Sequence, residues 1–170
     1  MALHKEKEAE VNVDSYYLEV NNMTLKYNVT PELKATLDKA ADFHGHLGPF
    51  LVLGVRMGLI GVRELGMKGN DEQLRVTAMT KDSTPFSCVI DGIQVATKCT
   101  IGNKKLRVKN SSGIAAKFEL QNIEQITVTV NPATFNKLKS QLLSKNVPLE
   151  ELARLVVSMP EEELFVVGRA

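Results

Sequence analysis

Apolar positions along this chain switch between two periods. From Thr30 they recur at helical spacing, with Leu33, Leu37, Ala40 and Ala41 on one face. Thr30-Pro31-Glu32 supplies a capping hydroxyl, a proline suited to the first turn and an acid for the positive end of the dipole. The pattern predicts a helix that stops near Phe43-His44-Gly45. A second helix runs from Gly48-Pro49 to about Leu65. Its Gly54, Gly58 and Gly61 lie near one face, and each costs about 1 kcal/mol in a helix interior. That face is expected to meet another helix closely, from this chain or from a second subunit. Alternation then takes over at 74–80, which reads as a strand. Ser83-Thr84-Pro85 opens a helix over about 86–96. Segments 105–109 and 114–120 flank Asn110-Ser111-Ser112-Gly113 and read as an antiparallel hairpin. Segment 124–130 alternates again. Asn131-Pro132 and Pro148-Leu149 open helices to about Ser144 and Ser158, and 164–167 reads as a short strand.

This order lacks regular strand–helix alternation. It predicts an α+β fold with a mixed or mostly antiparallel sheet of four to five strands packed with helices. Residues 1–29 read as a solvated lead or arm, with a weak strand signal at Tyr16-Tyr17-Leu18-Glu19-Val20. Residues 30–170 read as one domain.

A hydrophobic share of 44% supports a core with no disulfide help, although Trp is absent and aromatics are scarce. The net charge of +1 gives no overall field for nucleic acid or a membrane surface. The densest basic run, Lys104-Lys105-Leu106-Arg107-Val108-Lys109, alternates with apolar residues. It reads as the wet face of a strand rather than a phosphate-binding patch, because no aromatic platform lies beside it. Met1-Ala2-Leu3 runs into charged residues, so no signal peptide is expected. The apolar stretch 47–62 is too short and too polar to span a bilayer. A cytoplasmic setting follows, where two cysteines serve as free thiols or metal ligands.

Three features carry candidate chemistry. His44 and His46, separated by Gly45, cannot share a helix face, but at a helix end they can converge on one ion. The bland alternative is one capping and one packing histidine. His4 lies in the charged lead and reads as inert. Cys88 falls in the first turn of the third helix, where the dipole favours a thiolate, and Asp91 shares its face. A buried cysteine acting as a small hydrophobe is the alternative. Cys99 lies 11 residues after Cys88, about 16 Å along a helix. It serves elsewhere, reaches a site across a dimer, or is structural. The residue types also fit a cysteine nucleophile at Cys88, with His44 or His46 as base and Asp91 as orienter. A non-catalytic dimeric interaction module is the third reading.

Two blocks resemble a known family. Phe43-His44-Gly45-His46-Leu47-Gly48-Pro49-Phe50, continued by Leu53-Gly54-Val55-Arg56-Met57-Gly58, is similar to the opening motif F-H-G-H-x-C-P-G of the FmdE family, named after formylmethanofuran dehydrogenase. Cys88-Val89-Ile90-Asp91-Gly92-Ile93-Gln94 and Thr97-Lys98-Cys99-Thr100-Ile101-Gly102-Asn103 resemble its second block, C-x-x-D-[AG]-I-Q…G-C-T-x-G-[NK]. The resemblance covers residues 30–165. It implies an α+β fold with a mixed sheet, a homodimer and a bound metal, commonly zinc. It also implies association with the subunits of a molybdenum or tungsten formylmethanofuran dehydrogenase, the C1 chemistry of methanogenesis. By position, His44, His46, Cys88 and Cys99 carry the metal role and Asp91 stands with Cys88. The sequence departs where Gly48 replaces a cysteine and Lys98 replaces a glycine. It also lacks the four-cysteine zinc ribbon of longer members.

Overall fold

The computed structural model describes residues 29–67, 72–120 and 124–170; the expectation of an arm at the N-terminus lies outside them. Among the described residues, six helices and five strands follow in chain order: α1 Pro31–His44, α2 Pro49–Glu64, β1 Leu74–Thr80, α3 Cys88–Thr97, β2 Leu106–Asn110, β3 Ala115–Leu120, β4 Glu124–Val130, α4 Pro132–Ser144, α5 Leu149–Ser158, α6 Glu161–Leu164 and β5 Phe165–Arg169. The fold is α+β, and the mixed sheet has the order β2-β1-β3-β4-β5.

The caps foreseen in the sequence set the boundaries of α1. Thr30 Oγ1 accepts from Leu33 N–H at 3.2 Å. Gly45 closes the helix at φ 96°, with its N–H on Ala41 O at 2.8 Å. That left-handed conformation suits glycine.

The expected hairpin does not form. β2 pairs parallel to β1, with Val76 opposite Leu106, and β3 pairs antiparallel to β1 on its other side. Burial explains this choice. β1 buries most of its residues and needs a neighbour on each edge. β2 buries only Leu106 and exposes Arg107 and Lys109, as a charged edge strand should. The helix α3 supplies the long crossover that parallel neighbours require.

Helix α2 is the hub. Its residues are buried from Pro49 to Val55, and again at Met57, Gly58, Ile60 and Gly61. The glycine face meets a helix as expected, but a helix of the same chain. A Cβ on Gly54 would fall on the carbonyl oxygen of Val89, and one on Gly58 would lie 2.6 Å from the Ala96 Cβ. The third glycine, Gly61, faces the Phe118 ring on β3 instead. Gly92 of α3 answers Gly54, so the two backbones cross almost in contact.

Arg56, inside α2, turns its charge to structural use. Its Nη1 donates to Val156 O at 2.8 Å, Val157 O at 3.3 Å and Met159 O at 2.7 Å. These are carbonyls at the negative end of α5, where a cation belongs. Burial pulls its pKa down, and the nearby Glu161 and Glu162 oppose that. Among the described residues, no helix is long and apolar enough to cross a membrane.

Candidate functional site

The end of α1, the turn at 45–48 and the first turns of α3 come together. The rings of Phe50, Phe86 and Phe135 pin this corner, with centroids 5.1 to 6.3 Å apart. Edge-on contacts of this kind add about 0.5–1.5 kcal/mol each beyond area burial. They hold the start of α2 against the turn that leads into Cys88.

His44 Nδ1 lies 2.7 Å from Asp91 Oδ2. A carboxylate at this distance accepts, so Nδ1 carries the proton and Nε2 presents its lone pair when the ring is neutral. Asp91 is fixed in turn, because Gln94 Nε2 donates to its Oδ1 at 3.3 Å. Gln94 Oε1 accepts from Ile101 N–H at 3.2 Å, which ties the chain to the turn after α3. His44 Nε2 is buried and has no hydrogen-bond partner among the described residues. Such an orphan costs about 1–3 kcal/mol. The His46 ring sits 4.7 Å away, tilted by 42°, and is exposed.

An imidazole with one nitrogen on a carboxylate and the other buried and unpaired has the form of a metal ligand with its outer-shell support. The chemistry of the pair therefore fits a divalent transition ion. The geometry is incomplete: among the described residues, no three His, Cys, Asp or Glu side chains converge closely enough to hold one. An ion here would need donors beyond the two imidazoles.

Cys88 opens α3, one turn before Asp91, half-buried against the core. The helix terminus was expected to favour its thiolate. The structure reverses that direction: burial pushes the thiol pKa up, the Asp91 charge adds to the rise, and only the thiol's bond to backbone opposes it. A reactive nucleophile needs the opposite. We expect Cys88 of the metal-free protein to react with iodoacetamide more slowly than free cysteine at pH 8. Its rate should climb only as pH passes the ordinary thiol range. Faster reaction than free cysteine would restore the nucleophile reading.

Cys99 lies beyond the far end of α3. It is buried, and its Sγ donates to Leu74 O at 3.6 Å. Burial raises this thiol too. Its neighbours are structural: Cys99 N–H bonds Thr97 Oγ1 at 3.1 Å. Lys98 ends α3 at φ 61°, a conformation glycine adopts without strain. That explains the glycine of the resembling motif at this position. Asn103 holds the turn by donating from Nδ2 to Lys98 O at 2.8 Å.

Known proteins resemble this chain in sequence or in fold. A protein of Archaeoglobus fulgidus named "Probable S-adenosyl-L-methionine-binding protein" is 28% identical over 166 residues, 82% of this chain and 43% of that protein. The chain thus spans less than half the length of that relative. A solved structure of a tungsten formylmethanofuran dehydrogenase FmdE-like protein from Syntrophus aciditrophicus shares the fold. Its TM-score is 0.58 at 19% identity, covering 81% of this chain and 71% of that one. The family described as FmdE, Molybdenum formylmethanofuran dehydrogenase operon, matches residues 43–166. That span runs from Phe43 through both motif blocks to the last strand, so the chain belongs to the FmdE family.

Proposed function

We propose that this protein is a metal-binding member of its family, using His44 and His46 to hold a divalent transition ion such as zinc. It serves a molybdenum or tungsten formylmethanofuran dehydrogenase system. One observation carries the reading: His44 has Nδ1 held by Asp91 and Nε2 buried without a partner. The family's operon-based description supports the assignment to that system. Two imidazoles and open positions suit a catalytic or carried ion better than a closed structural one. Cys88, one turn before the Asp91 that holds His44, is the candidate for a third donor, and binding would have to lower its pKa, since metals take thiolate.

Metal analysis tests this. Protein purified without chelators should hold about one ion per chain. His44→Ala should lose it, and Asp91→Asn should weaken zinc binding about 10- to 100-fold by releasing the ring. Wild-type protein with negligible metal, together with an unaltered His44→Ala variant, would sink the proposal.

A further inference from the structure

The basic run 104–109 reads in the sequence as a wet strand face rather than a phosphate-binding patch, but the fold sets Arg75 of β1 beside it in one positive concavity. A cavity of about 300 Å³ opens where β1 meets the edge strand β2. Arg75, Lys104, Lys105, Arg107 and Glu119 line it around Thr77. Register explains the clustering. Arg107 lies opposite Thr77 and Glu119 lies opposite Arg75, so these four side chains share one sheet face. That face is opposite to the one on which Leu74, Val76 and Ala78 are buried. The turn before β2 adds Lys104 and Lys105.

The site is held in place. Arg75 Nη1 donates to Glu72 O at 2.7 Å and Leu74 O at 2.9 Å, which orients its guanidinium. Asn103 Oδ1 accepts from Lys105 N–H at 3.1 Å and from Thr100 N–H at 2.9 Å, which fixes the turn carrying both lysines. Glu119, the one carboxylate of the lining among the described residues, is paired with Lys117 at 2.9 Å. Among the described residues, Arg75, Lys104 and Arg107 therefore face one acid that already has a partner of its own.

We propose that this concavity binds a small polyanion carrying two linked phosphate groups. The charges match, since a diphosphate carries roughly three negative charges near neutral pH. Its volume is at the lower end for ligand pockets, which run from about 300 Å³ upward. Guanidinium forks recognise phosphate oxygens in pairs, and lysines add point charge. Among the described residues no aromatic side chain lines the cavity, and a stacking platform is what single-stranded nucleic acid would need. The histidine pair contributes no residue to this lining.

Calorimetric titration of the full chain with sodium pyrophosphate should give saturable binding with Kd at or below about 0.1 mM at low salt. The double variant Lys104→Ala/Arg107→Ala changes two exposed side chains. It should melt like the wild type and bind at least about tenfold more weakly, a loss of about 1.4 kcal/mol. His44→Ala should bind pyrophosphate like the wild type, which separates this site from the histidine pair. The proposal is overturned by any of four results: no saturable binding, wild-type affinity in the double variant, sulfate bound as tightly as pyrophosphate, or an oligonucleotide bound in preference to it.

Discussion

Replacing Gly92 with alanine is expected to lower the melting midpoint by about 10 °C or more, or to abolish the cooperative transition. The added Cβ would fall on the carbonyl oxygen of Leu51, and would lie 2.6 Å from Val55 N and 2.8 Å from Gly54 C. All three are backbone atoms of α2, so no side chain can rotate away. The helices must separate, and α2 is the buried hub of the domain. Overpacking a core costs about 1–3 kcal/mol when side chains can yield; here the cost is placed at the top of that range or above it. A domain of this size loses about 2–4 °C per kcal/mol. Gly113→Ala is the control, because nothing lies within 4 Å of its added Cβ. A Gly92→Ala protein that melts with the wild type would show that α2 and α3 are not packed backbone to backbone. Because Asp91 precedes Gly92, the same variant should also lose metal.

Replacing Gly48 with cysteine is expected to raise zinc affinity about a hundredfold, equivalent to about 2.7 kcal/mol. Four-ligand zinc sites reach about 10–16 kcal/mol in total, so one added thiolate is worth roughly that much. Gly48 is extended, at φ −125° and ψ 161°, and accepts any residue without strain. Its Cβ would lie 3.5 Å from His46 Nε2 and 3.8 Å from Leu149 Cδ2, which is ordinary contact. It also caps α2, where the dipole favours a thiolate. Competition against a chromophoric chelator measures the change. Gly48→Ser has the same shape without the soft ligand and should gain little. The added affinity should vanish when His44→Ala is combined with Gly48→Cys. Equal affinity in the cysteine variant and the wild type, with both folded, would mean that His46 is not at the ion.

The features that could be read from the sequence were the local ones. Thr30, Pro31 and Gly45 announce both ends of α1 through their own backbone preferences, and the structure places the ends there. Strand pairing was less legible. Asn110-Ser111-Ser112-Gly113 has the composition of a hairpin turn, yet β1 takes both flanking strands because its own burial demands two neighbours. The glycines of α2 announced close packing but not the partner, which is α3 for Gly54 and Gly58 and the sheet for Gly61. At the site, spacing proposed His44 and His46, and helical phase proposed Asp91 beside Cys88. The bond between His44 and Asp91 spans 47 residues and belongs to tertiary structure. The direction of the Cys88 shift was missed because burial outweighs the helix terminus there.

The Arg56 clasp has a consequence for synthesis. Its acceptors on Val156, Val157 and Met159 stand 100 to 103 residues further along the chain. Arg169 reaches back across 105 residues to the end of the same helix, at Glu64. At about 5–20 residues per second, a ribosome takes roughly 5–20 s to make that length. For a comparable interval after it leaves the tunnel, α2, the longest and most buried of the described helices, lacks the segments that cover and cap it. The window from Pro49 to Gly61 is therefore where a nascent chain is most exposed to aggregation, and where chaperone binding during translation should concentrate.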